Sequence, residues 1–152
     1  MNLEVFGGVK ITVDGKPYDP SEKMNYKGIM YEDLPNLGSI FGYTNASWTL
    51  KADLSSEFMT RLVNYMDKHK VQKAIPVNND SSVIKSVFLD FQSGYVQRSI
   101  DKFPKKGSKM PWKLIQAYPV DLLMLRYSKL NDGKLIFSKA KTKKRAPLKQ
   151  AS

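Results

Sequence analysis

The sequence predicts an α+β chain in which short strands surround one long amphipathic helix. Three observations carry that expectation. Val9, Ile11 and Val13 alternate with Lys10 and Thr12 and run into Asp14-Gly15, a hairpin pattern with its turn. Leu50, Leu54, Phe58, Leu62 and Met66 recur every four residues, with Met59 and Val63 widening the stripe. Turn signals at Leu34-Pro35-Asn36, at 76–82 and at Asn131-Asp132-Gly133 separate the remaining short apolar runs.

In chain order, the hairpin covers 9–18 and is ended by Pro17, Asp19-Pro20 and Ser21. A second extended segment is expected over 24–31, with Gly28 marking a close approach or bulge. Leu34-Pro35-Asn36 reads as a turn, because the residue before proline avoids the helical region. A short strand follows over 37–43. The long helix begins near Ala46, capped by Thr44 or Asn45, and ends near Lys68-His69-Lys70, where cations suit the dipole. Beyond it, 83–91 is weakly strand-like. Ser93 caps a short helix through Ile100 that Pro104 stops, and 105–111 is a basic loop. A helical pattern spans 112–130, with Pro119 opening its second half as a first-turn residue. The last strand is 134–138.

The composition suits one domain with a real core: 152 residues, 41% hydrophobic and 26% charged. No cysteine is present, which excludes disulfides and thiolate metal sites and is compatible with a reducing, cytoplasmic setting. The first residues lack the basic and apolar regions of a secretory leader. No apolar run approaches the length of a membrane span, and the longest, 120–125, is broken by Asp121. The net charge of +11 is uneven. Residues 98–152 hold 15 Lys and Arg against 3 acids, whereas 1–97 hold 10 against 11. That basic last third suits either an anionic partner or a solvated surface with a loose tail at 139–149.

Several chemistries are missing. No Gly-x-Gly-x-x-Gly and no Walker loop occurs. The only histidine, His69, falls at the expected helix end, and one histidine without cysteine cannot build the usual zinc sites. Ser47 and Ser108 have no local base beside them, so no catalytic or metal-binding residue is assigned. Tyr95, Phe103 and Trp112 interleave with Arg98, Lys102, Lys105, Lys106, Lys109 and Lys113. That mix suits either a stacking platform for single-stranded nucleic acid or aromatic anchors on a core.

The stretch from Gly42 to Leu54 organises the rest. Ile40-Phe41 leads in, small polar residues fill the middle, and the long helix leaves. A strand, short turn and helix in that order leave backbone N–H groups and the positive end of a helix dipole at the turn. Such a turn seats an electron-rich or anionic group, or it is simply a capped helix start that binds nothing.

The run Pro35-Asn36-Leu37 … Gly42-Tyr43-Thr44-Asn45-Ala46-Ser47-Trp48-Thr49-Leu50-Lys51-Ala52-Asp53-Leu54 resembles the carboxy-terminal part of FAD- and NADPH-dependent monooxygenases of the Baeyer–Villiger and flavin-containing type, in the ethionamide-activating branch. Gly94-Tyr95-Val96-Gln97-Arg98 … Phe103-Pro104-Lys105-Lys106-Gly107-Ser108-Lys109-Met110-Pro111-Trp112-Lys113 is similar to their end segment, as are Phe6-Gly7-Gly8 and Met24-Asn25-Tyr26-Lys27-Gly28. One departure is Ala117, where the family often has asparagine after the glutamine matching Gln116. The departure puts a local hydrogen bond in question.

The resemblance implies a Rossmann-like FAD-binding domain whose carboxy-terminal part is 1–70, an extension packing on it over 71–138, and a basic flexible tail over 139–152. It implies FAD and NADPH as cofactors, with Thr44, Asn45, Ala46 and Ser47 contacting flavin and Trp48 and Thr49 as weaker candidates. Tyr43 or Trp48 would line a substrate pocket or serve the core. Family members carry two glycine-rich fingerprints absent from this sequence. The chain is therefore expected to be inactive alone, as a truncated product, split-gene half or remnant, and to need an amino-terminal FAD/NADPH-binding half. Apolar faces normally covered by that half predict self-association. The rival expectation is a basic binding module for anionic surfaces or single-stranded nucleic acid.

Overall fold

The structure is a computed structural model, and it describes residues 5–88 and 100–139. The β1 strand (Ile11–Val13) and β2 (Lys16–Tyr18) form the expected hairpin. Asp14 and Gly15 at its tip have φ of 51° and 81°, the pair of positive values that a two-residue hairpin turn needs. Tyr18 ties the hairpin down by donating its hydroxyl to the Glu32 carbonyl at 2.7 Å.

The segment expected to be one strand over 24–31 is instead a second hairpin. The β3 strand (Asn25–Tyr26) and β4 (Met30–Tyr31) pair antiparallel, with Asn25 opposite Tyr31. Lys27 and Gly28 between them also take positive φ, and Ile29 N–H donates to the Tyr26 carbonyl at 3.0 Å. Residues 34–36 are not a free turn. They belong to β5 (Leu34–Gly38), which pairs with β4 through a register shift. Pro35 has no N–H to give a ladder. Asn36 instead acts as a false strand neighbour, donating Nδ2 to the Gln72 carbonyl and accepting from Ala74 N–H, both at 2.8 Å. The strand ends at Gly38, so the expected strand over 37–43 is cut short; Ser39 N–H still donates to the Ile29 carbonyl at 2.9 Å, and 39–43 reach the helix outside any strand.

The long helix, α1, is Trp48–His69. Leu54, Phe58 and Leu62 of the expected stripe are buried, joined by Lys51 and Ser55, whereas Leu50 and Val63 are exposed. At 100° per residue, a spacing of four drifts 40° per step, and by Leu50 the drift has turned the side chain outward. After α1, β6 (Lys73–Pro76), which the sequence did not suggest, pairs antiparallel with β9 (Leu135–Ser138), the expected last strand. The β7 strand (Lys85–Val87) pairs with β8 (Lys105–Gly107) inside the segment expected to be a basic loop. The 112–130 pattern is helical only from Tyr118. There α2 (Tyr118–Leu122) opens with Pro119 in its first turn, as expected, and continues as a π-helical turn (Leu123–Tyr127). The expected helix over 93–100 and the tail after 139 lie outside the described residues.

The core joins both parts of the chain. Met24, Tyr26, Ile29 and Met30 meet Leu54, Phe58 and Leu62 of α1, and Trp112, Leu125 and Leu135 close over them. The described sheets have two or three antiparallel strands each. Among the described residues the only parallel pairing is one bridge between Met24 and Lys105. The architecture is thus a small α+β assembly, compatible with a piece of a larger domain.

Candidate functional site

The turn before α1 is built in two layers. Underneath, Tyr43 is buried and donates its hydroxyl to Asp121 Oδ2 at 2.7 Å. Lys51, one turn into α1, sets its ammonium 2.8 Å from the same oxygen, and both charged groups are almost fully buried. Burial pushes the Lys51 pKa down, against the pull of Asp121. Burial and the Asp121 hydrogen bond raise that of Tyr43. The ammonium fits because Gly28, at φ +73°, carries no Cβ, which would stand 3.3 Å from Lys51 Nζ.

Above this layer, Thr44, Asn45, Ala46 and Ser47 are all exposed. Gln116, just ahead of α2, holds the first two in place. Its Oε1 accepts the Thr44 N–H at 3.0 Å, and its carbonyl accepts Asn45 Nδ2 at 3.1 Å. The helix cap is Ser47, not Thr44 or Asn45, and Ser47 makes no side-chain cap hydrogen bond. Its hydroxyl instead meets the Thr49 hydroxyl at 2.7 Å. The first turn of α1 carries no acidic residue. Among the described residues no side chain caps its N–H groups, and the positive end of a helix of 22 residues opens on the surface.

Trp48 is also exposed and lies across Gly42, where a Cβ would stand 2.2 Å from the indole. Phe41 flanks that ring at 5.7 Å between centroids. Tyr43 serves the core. So does Trp112, only 1% exposed, which removes it as a stacking platform. Tyr95 and Arg98 lie outside the described residues. His69 stands at the end of α1, stacked on Tyr65. Ala117 is the cap position of α2, with extended backbone and no side-chain cap bond, so the departure at this position falls on a helix start.

Sequence reasoning missed Lys51 and Asp121 as a pair. Two signals pointed to them: Asp121 interrupts the longest apolar run, and Lys51 lies three residues before Leu54 on the true buried face. Their separation of 70 residues hid the connection.

This geometry can hold an electron-rich group against backbone donors, with the turn fixed from below by an ion pair and from the side by Gln116. The chain is 46% identical over 139 residues to "FAD-containing monooxygenase EthA" of Mycolicibacterium smegmatis, and equally to EthA of Mycobacterium tuberculosis. It is 39% identical over 140 residues to "Probable FAD-binding monooxygenase AlmA" of Acinetobacter baylyi. The chain is homologous to a part of the FAD-containing monooxygenases. Each match takes in 91% of this chain but spans only 28% of the length of these monooxygenases, consistent with a carboxy-terminal portion. No family model and no solved structure matches the chain. No helix among the described residues is long and apolar enough to cross a membrane.

Proposed function

We propose that this chain is the flavin-facing carboxy-terminal portion of an FAD- and NADPH-dependent monooxygenase, the last piece of a Rossmann-like FAD-binding domain with its extension. The observation that carries this reading is the exposed, uncapped start of α1 at 44–47 in a chain homologous to FAD-containing monooxygenases over nine-tenths of its length. FAD, when bound, supplies the oxygen-transfer chemistry toward a ketone or a soft heteroatom. The backbone of Ala46 and Ser47 and the first turn of α1 present donors and dipole to the electron-rich edge of the flavin, without reorganisation. Thr44 and Asn45 frame that edge while Gln116 holds them. The NADPH and adenine-nucleotide sites fall to an amino-terminal half, because this sequence holds no glycine-rich fingerprint. The chain alone is therefore inactive.

Co-expression with the amino-terminal remainder of the M. smegmatis EthA relative tests this. FAD should co-purify, and NADPH oxidation should appear, only when both polypeptides are present. An amino-terminal half that retains FAD and oxidises NADPH equally well without this chain would contradict the reading. The basic last third keeps a rival reading as a module for anionic surfaces. Tight binding of single-stranded nucleic acid with a steep salt slope would favour it instead.

A further inference from the structure

A second feature lies apart from the turn. A cleft of about 670 Å³ opens between the β3–β4 turn and the α2 segment, and none of the residues at 42–51 lines it. That volume is in the range of small-molecule sites. Its walls are apolar: Met110, Pro111, Val120, Leu123 and Met124. Leu123 is 65% exposed there, a large apolar side chain with no cover from the described residues.

The cleft also has a cationic lining. Lys27, Lys129 and Lys134 line it beside Ser128 and Asp132. Asp132 is already spent. Its Oδ1 accepts the Lys134 and Leu135 N–H groups at 2.9 and 3.0 Å, and its Oδ2 accepts the Tyr26 hydroxyl at 2.6 Å. Lys27 Nζ stands 3.3 Å from that Oδ2 and donates to Ser128 Oγ at 3.0 Å, which leaves it one further proton to give. The Lys27 side chain is buried, and burial depresses its pKa despite Asp132. Asp132 thus pairs with Lys27 alone, the Lys134 ammonium turns to Asn79 Oδ1, and Lys129 makes no ion pair among the described residues.

An apolar trough lined also by the Lys129 ammonium and by Lys27, which keeps a proton to donate, complements one kind of small molecule. We propose that this cleft binds a free fatty carboxylate of medium chain length, with its chain along Val120, Leu123 and Met124 and its carboxylate at Lys27. A neutral chain would satisfy only the walls, and a cationic amphipath would be repelled at the head.

Isothermal titration of the full chain with dodecanoate, dodecanol and dodecyltrimethylammonium, each below its aggregation range, tests the assignment. Dodecanoate should saturate at one per chain. Dodecanol should bind at least about tenfold more weakly, and the cation not at all. Lys27→Met should weaken dodecanoate about tenfold and leave dodecanol unchanged. If that variant does not fold, Lys129→Glu at the exposed rim should shift the same ratio. Leu123→Asp, on an exposed side chain, should weaken both ligands. Equal affinity for dodecanoate and dodecanol, uptake that never saturates, or indifference to Leu123→Asp would overturn the proposal.

Discussion

The two ends of α1 are finished differently. At the carboxy-terminal end the chain uses its own residues to close the helix. Lys70 turns left-handed at φ 53°, and its N–H donates to the Asp67 and Met66 carbonyls. Val71 N–H donates to Met66 at 3.0 Å, and Lys68 and His69 bring cationic side chains toward the negative pole. At the amino-terminal end no side chain caps the first turn. The backbone there is nonetheless held firmly, by Gln116, Tyr43 and the Lys51–Asp121 pair. One end is satisfied; the other is positioned but left open. A helix start that is rigid yet lacks acceptors for its donors suits a ligand delivered by another part of a protein.

The sharpest way to break that comparison is to remove the support under the open end. Asp121→Ala leaves the Lys51 ammonium buried without its anion and should cost about 3–5 kcal/mol in urea denaturation. Adding Lys51→Met should restore most of the loss. A loss below about 1 kcal/mol for the single variant would mean that the pair does not fix the turn. A smaller effect concerns acid, and it probes the polar ties away from the turn. Burial pushes the Asp132 carboxyl up, but the Tyr26 hydroxyl, the Lys134 and Leu135 N–H groups and Lys27 outweigh it and hold it below 3.8. A depressed folded value means stability that is present above the unfolded value and lost as pH falls through the folded one. Asp132→Asn should therefore flatten the loss of melting temperature below about pH 4 relative to the native chain. An unchanged acid limb would remove Asp132 as its source. The smallest effect is at the closed end. Lys70→Gly relieves a left-handed residue with a Cβ and should raise stability by about 0.5–1 kcal/mol. A loss there would show that the lysine side chain contributes more than the strain costs.

What the sequence made legible follows the range of the interactions. The Asp14-Gly15 hairpin and the body of α1 are set by neighbouring residues and by period, and both stand nearly as expected. The second hairpin was obscured because Lys27 occupies a positive-φ position usually given to glycine or asparagine. Pro35 argued for a turn, but Asn36 supplied by side chain the pairing that proline denies the backbone. The β6 strand was invisible because its partner Leu135–Ser138 lies some 60 residues on. Trp112 and Leu130 extended a helical pattern that begins only at Tyr118; both are core anchors on non-helical backbone. At the site, resemblance and dipole reasoning led to 44–47. Gln116 and Asp121, which hold that turn, act across 70 to 80 residues, a range local patterns do not reach.

The open end of α1 can be closed deliberately. Ser47→Asp places a carboxylate where it accepts from the first-turn N–H groups and favours the dipole, so the isolated chain should gain about 0.5–1 kcal/mol. In the pair completed with an amino-terminal half, the same carboxylate occupies those donors and repels an electron-rich ligand edge. FAD titration of the native and Ser47→Asp pairs decides the matter. At least a tenfold rise in the Kd for FAD, alongside a higher melting temperature of the chain, is the expected result. Equal FAD affinity in the two pairs would contradict a flavin-facing role for the start of α1.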